Sequence, residues 1–126
     1  MNPFLAVCLG GALGSGARYL FNAQMTRAFG PDFPWGILGV NIIGCFIMGV
    51  LAESFALRFN VSAEMRSFLM TGVLGGFTTF SAFSLDAGNM IERHDYTLAG
   101  LYIAASVIGS IAALFFGLYA VRTVLA

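Results

Sequence analysis

The sequence predicts an all-α membrane protein of four transmembrane helices, the third broken at its centre. Three observations carry that prediction. Of 126 residues, 59% are hydrophobic and 10% are charged, whereas soluble domains carry about 25% charge. The apolar residues gather into four stretches, each long enough for the ~20 residues that span a bilayer at ~1.5 Å per residue. Inside the third stretch, residues 72–84 concentrate weak helix formers. Gly75 and Gly76 are adjacent, Thr78 and Thr79 are adjacent, and Ser81 and Ser84 follow. A glycine costs a helix interior about 1 kcal/mol relative to alanine, and threonine is also a modest helix former. A continuous membrane helix gains nothing from such a cluster, so the cluster predicts an interruption, placed at the double glycine.

The first span is expected over Pro3–Phe29, interrupted by Arg18. Gly30-Pro31-Asp32-Phe33-Pro34 then forms a turn, because both prolines break helices. The second span is Trp35–Leu57, with Trp35 where an interfacial aromatic belongs. A polar loop over residues 58–64 leads to the third span, 65–91. The charged turn Glu92-Arg93-His94-Asp95 leads to the fourth, 96–121. The spans fill the chain as a single transmembrane domain with no room for a soluble one. The N-terminal stretch lacks a basic leader and its apolar pattern continues past Arg18, which argues against a cleaved signal peptide.

Small residues recur at helix-contact spacing. Gly10 and Gly14 are four apart, as are Gly72 and Gly76. Ala105, Gly109, Ala113 and Gly117 form a ladder on the last span. Such ladders let helices approach closely in lipid. Four short helices leave little interior, so a pore or binding site is expected between subunits. All six basic residues are arginines and net charge is zero, which points to no nucleic-acid partner. The N-terminus, the second loop and the C-terminus share one side with Arg58, Arg66 and Arg122, against Arg27 and Arg93 opposite. That near balance gives almost no positive-inside signal, so the chain can insert both ways and antiparallel dimers are possible.

Cys8 and Cys45 have neither metal-ligand nor disulfide-framework spacing and read as small buried hydrophobes. No Ser-His-Asp set, metal-ligand cluster or phosphate loop is apparent, so an enzyme is not expected. Polar residues within spans are the functional candidates. Asn41 reads either as interhelical glue or as a site residue. Ser106 and Ser110 read as bonding back to their own helix or as facing a pathway. Tyr102 is an interfacial anchor or a pore residue. Glu53 and Arg58, near a helix end, read as solvated or snorkelling, and His94, in a loop, as solvated. Arg18 has three readings: snorkelling, lining a watery vestibule, or pairing with Asp86. Its fixed charge favours anions.

Phe77, Phe80 and Phe83 are three apart, and Thr78, Ser81 and Ser84 repeat at the same interval. Hydroxyls donate to an anion, and phenyl edges carry partial positive charge. A phenylalanine row at this spacing also reads as lipid-facing or core packing; the paired hydroxyl row favours a track that can replace part of the hydration shell of a small anion. Carbonyls freed by a helix break commonly hold a monovalent cation, and two breaks meeting on a two-fold axis can share one.

The run Gly75-Gly76-Phe77-Thr78-Thr79-Phe80-Ser81-Ala82-Phe83-Ser84 resembles the GGxTTFSTFS pattern of the small bacterial fluoride channels, the Fluc or CrcB family. Gly39-Val40-Asn41, the Gly10-Gly11…Gly14…Arg18 run and Gly109-Ser110 resemble it too, and the likeness covers essentially the whole chain. The resemblance implies a dual-topology homodimer in the bacterial inner membrane with two fluoride pores. It implies passive fluoride efflux that relieves fluoride toxicity. It implies one structural, non-transported sodium ion held by the Gly75 and Thr78 carbonyls of both subunits. Phe80 and Phe83 match the phenylalanines that face fluoride, Asn41, Tyr102 and Ser110 match pore polar residues, and Arg18 matches a vestibule arginine. Ser81 and Ser84 join the expected pore set. Ile37, Ala82, Asp86 and Leu114 depart from the family pattern, at positions where a threonine, a threonine, a glutamate and a polar residue are found in relatives.

The rival reading is a small multidrug-type, proton-coupled transporter, also four-spanning. It needs a membrane carboxylate in its first span. Here that span holds Arg18 instead. A non-transporting scaffold explains the glycine ladders but not the hydroxyl and phenyl rows.

Overall fold

A computed structural model describes residues 2–125. Helix α1 is Pro3–Phe29. Its first turn is fixed by Asn2, whose Oδ1 accepts the Leu5 amide at 2.8 Å, and by Pro3 at the first helical position, where a missing N–H costs nothing. It ends at Gly30, whose φ of 82° suits a residue without Cβ. Helix α2 is Trp35–Leu57. Phe29 and Phe33 stack on Trp35 at 6.0 and 4.6 Å between ring centroids, forming an aromatic girdle at one end.

The third span is two helices. Helix α3a, residues 63–77, starts at Ser62, whose Oγ accepts the Met65 amide at 3.1 Å. It widens to a π-helix over Ser67–Leu74 and returns to α-helical geometry over Gly75–Phe77. Helix α3b is Phe80–Glu92. Between them Thr78 (φ −88°, ψ 156°) and Thr79 (φ −154°, ψ 121°) are extended. The interruption is short, and Ala63–Glu92 remains one span-length segment. Helix α4, Tyr96–Leu125, runs four residues past the expected end and so includes Arg122. Among the described residues, four segments are long and apolar enough to cross a membrane: the chain is a multi-pass membrane protein.

The glycine ladders set the packing. Helix α1 lies along α3a, and α2 along α4. Gly10 and Gly14 face Gly72, Val73 and Phe77. Gly49 and Gly117 let α2 and α4 meet backbone to backbone, against Leu114 and Phe46. The apolar core sits toward the girdle end. Ile37 and Leu38 of α2, Phe83, Ala87 and Met90 of α3b, and Ala99 and Tyr102 of α4 close over one another. Ile37, a departure from the family pattern, is therefore core, and Ala82 packs against the same cluster.

The opposite end is tied by charge. Glu53, only 11% exposed, accepts from Arg122 Nε at 2.6 Å. Arg58 donates to the Leu125 carbonyl through Nε at 3.2 Å and one terminal nitrogen at 3.0 Å. Neither residue is merely solvated, contrary to the sequence expectation. The reason is that α4 continues far enough to meet them. Because Arg122 is largely exposed, Arg122→Ala should lower stability by only about 0.2–1 kcal/mol, measured as a small fall in thermal midpoint with flux retained. His94 is likewise engaged, its Nδ1 lying 2.8 Å from the Tyr96 hydroxyl in the turn before α4.

Candidate functional site

The break is not where the double glycine predicts it. Gly75 is helical (φ −62°, ψ −37°) and so is Gly76. Helix α1 packs on this turn at Gly76. An added Cβ on Gly76 would lie 2.7 Å from the Gly11 carbonyl oxygen and 3.0 Å from the Ser15 amide nitrogen. Gly76 serves close approach to α1, whereas a Cβ on Gly75 would meet only the Met70 carbonyl oxygen, at 3.8 Å; the threonines serve the break. β-Branched residues fit extended backbone readily, and their hydroxyls replace bonds the ladder loses. Thr78 sends both its amide and its hydroxyl to the Leu74 carbonyl, each at 2.9 Å. The Thr79 hydroxyl caps α3b, accepting the Ala82 amide at 3.1 Å.

Asn41 holds the break from α2. Its Oδ1 accepts the Thr79 amide at 2.8 Å, and its Nδ2 donates to the Thr79 carbonyl at 3.0 Å. One side-chain amide thus satisfies both backbone groups of a residue that is 8% exposed. Glue and site residue, the two readings of Asn41, are one role here. Gly44 makes room for this contact, since the Thr78 methyl occupies the place of a Cβ.

The break leaves two unlike helix ends side by side. Among the described residues, the carbonyls of Gly75, Gly76, Phe77 and Thr78 accept no hydrogen bond. They are the negative end of the α3a dipole, suited to a cation, while the start of α3b is a positive end, suited to an anion. Lipid cannot satisfy such groups.

A cavity of about 250 Å³ opens at this point. Asn41, Thr78, Thr79, Ser106 and Ser110 give it polar walls, and Phe80 and Phe83 give it aromatic ones. A larger cavity of about 440 Å³, between Ile42, Phe46, Ala113 and Phe116, has almost no polar wall and offers an ion nothing. Phe80 is 76% exposed and Phe83 is buried, and their centroids are 5.4 Å apart. Behind them Tyr102, with no exposed surface, meets Phe83 at 5.2 Å and the edge of Phe33 at 5.4 Å. Its hydroxyl donates to Asp86 Oδ2 at 3.3 Å. Tyr102 is therefore core, not an interfacial anchor.

The structure does not join every expected residue to the cavity. Among the described residues the ion pairs are Arg93–Asp95 and Arg122–Glu53, so Arg18 and Asp86 do not pair. Arg18 is half-buried on α1. Ser81 and Ser84 are exposed on the outer surface of α3b, where Ser81 Oγ lies 3.3 Å from the Thr79 hydroxyl. Gly75 is exposed as well. Ser106 is the reverse case. It does not bond back to its helix: among the described residues its Oγ is buried with no partner, and Ser106 lies on the cavity wall. Tyr102, Ser106 and Ser110 are each four apart, and that spacing alone places them on one face of α4. Cys45, four after Asn41, shares the cavity for the same reason.

Fold and site together define a small multi-pass membrane protein built around a polar, aromatic-edged cavity at a broken helix. Residues 5–118 match the family described as CrcB-like protein, Camphor Resistance (CrcB). The chain belongs to that family. It is 56% identical over 116 residues, 92% of this chain and 93% of the relative, to a Rhizobium etli protein called fluoride-specific ion channel FluC. It is 57% identical over 112 residues, 89% and 90% of the two chains, to one of the same name from Agrobacterium fabrum. A third so named, from Chelativorans, is 52% identical over 125 residues, 99% of this chain and all of the relative.

Proposed function

We propose that this chain is a fluoride-selective channel of the bacterial inner membrane that lets fluoride leave the cell passively and so relieves its toxicity. The carrying observation is the cavity at the break. There the positive end of α3b, the Phe80 and Phe83 rings and the Ser106 and Ser110 hydroxyls converge on about 250 Å³. Each is a donor or a positive edge, and none is a mobile cation that would hold an anion too tightly to release it. Fluoride is the smallest halide, so short contacts with hydroxyls and ring edges favour it most. The names of the relatives support the same ion.

The working unit we propose is an antiparallel homodimer with two pores. Support comes from polar groups that lipid cannot satisfy on one chain: the α3a carbonyls, Ser81 and Ser84. A second copy turned over against this face would cover them and complete each pore. The nearly balanced arginines permit both orientations. The family's sodium fits this chain, because the Gly75 and Thr78 carbonyls have no partner among the described residues and hard cations take oxygen ligands. Bound between two copies, the ion would neutralise converging carbonyl dipoles and would not move. Replacing sodium with N-methylglucamine should lower the thermal midpoint of the dimer, and sodium titration should raise it by mass action. An unchanged midpoint would remove the ion from the account.

The test of the ring edges is Phe80→Ile. Isoleucine keeps apolar bulk and loses the quadrupole. Fluoride release from liposomes, followed by a fluoride electrode, should fall about tenfold or more, or about 1.4 kcal/mol, with the dimer intact by gel filtration. Undiminished release would show that the rings only fill space.

A further inference from the structure

We propose that Cys45 is a reactive gate-blocking position: a thiol on the wall of the ion pathway which small, soft, thiol-seeking electrophiles modify, closing the channel. The inference rests on the channel reading above. Cys45 lies one helical turn beyond Asn41 on α2, and both line the cavity at the break. It is half-buried.

A second observation marks the same wall as open to an entering group. Ser106 is 5% exposed, its Oγ has no partner among the described residues, and it lines this cavity from α4. A buried hydroxyl without a partner is costly, and what enters the cavity supplies the partner. The space of about 250 Å³ exceeds the ~30 Å³ share of a water molecule several-fold. It can therefore admit a reagent of a few heavy atoms.

Methylmercury chloride is the suitable probe. It is neutral, so it reaches a thiol within a membrane protein without depending on anion conduction. The Cys45 Sγ–H bond and the Hg–Cl bond break, and an Sγ–Hg bond forms. A proton and chloride leave, and mercury stays divalent. The adduct replaces a thiol hydrogen with a bulky apolar group across from Ser106 and Ser110, where the ion would pass.

The second cysteine is a built-in control. Cys8 is exposed on α1 and is not on the cavity wall. The dimer is reconstituted in liposomes, fluoride release is measured before and after methylmercury chloride, and adducts are mapped by mass spectrometry. Each variant is scored against its own untreated rate. The expected result is loss of release in the wild type and in Cys8→Ser, recovery with excess dithiothreitol, and unaltered release in Cys45→Ser and Cys45→Ala. Inhibition that persists in both Cys45 variants, or that vanishes in Cys8→Ser, overturns the proposal. So does wild-type release that continues with Cys45 shown to carry mercury, or a Cys45 that stays unmodified while Cys8 reacts. No fluoride release before any reagent is added rejects the channel reading itself, and this proposal with it.

Discussion

Gly76→Leu is expected to stop the chain from accumulating as folded dimer. Even a single added carbon at Gly76 would lie 2.7 Å from the Gly11 carbonyl and 3.0 Å from the Ser15 amide. Those atoms are helix backbone and cannot rotate away, unlike the end of a flexible side chain. Leucine adds three more carbons in the same direction. Overpacking of one or two methylenes costs about 1–3 kcal/mol where the surroundings can yield. Here α1 must move off α3a, which also strips the contacts of Gly10 and Gly14 with Gly72 and Val73. The break then loses its support from one side. The measurement is the monodisperse dimer peak after extraction in mild detergent. Gly100→Ala is the contrast, since nothing lies within 4 Å of an added Cβ there. Alanine gains up to about 1 kcal/mol of helix propensity, and the Gly100→Ala dimer should extract as the wild type does. A folded, abundant Gly76→Leu dimer would mean that α1 and α3a do not meet as described.

Asn41→Ala is expected to abolish fluoride release and to lower stability at the same time. Alanine removes both partners of Thr79, whose amide and carbonyl Asn41 binds at 2.8 and 3.0 Å. Each backbone group left unsatisfied in a buried setting costs about 1–3 kcal/mol, so the summed loss is about 2–6 kcal/mol. Closing the break into continuous helix would satisfy those groups instead, and would remove the positive end of α3b from the cavity. Thr79→Val separates the two contributions. Valine keeps the shape and the backbone bonds to Asn41, and loses only the hydroxyl that caps Ala82, a cost of about 1 kcal/mol. Thermal midpoints should therefore fall in the order wild type, Thr79→Val, Asn41→Ala. Equal stability of wild type and Asn41→Ala would show that the amide does not hold the break.

The spans were legible because composition and length suffice for them. Trp35–Leu57 and the glycine ladders follow from residue type and four-residue spacing, and the structure puts those glycines at backbone contacts. The position of the break was misplaced by three residues. Glycine weakens an isolated helix, but Gly76 lies against a neighbour that needs it small, and that neighbour is remote in sequence. Thr78 and Thr79 take the break because Asn41, 38 residues away, accepts and donates there. The ends of the chain hid a similar long-range fact, since Glu53 finds Arg122 across 69 residues. Ser106 was within reach: the spacing of Tyr102, Ser106 and Ser110 marks a face, although back-bonding to the helix competes as a reading. Ser81 and Ser84 face outward on α3b, toward where the proposed second copy would lie, and spacing within one chain assigns no partner to that surface.

The proposed channel passes fluoride through the cavity at the break and excludes other halides. Its most direct measurement is the reversal potential of the reconstituted dimer in a planar bilayer with a fluoride gradient opposed by a chloride gradient. The account predicts reversal at the fluoride equilibrium potential, whatever the chloride gradient. Reversal that shifts toward the chloride potential, or a bilayer that carries no fluoride current with folded, sodium-loaded dimer present, would contradict it.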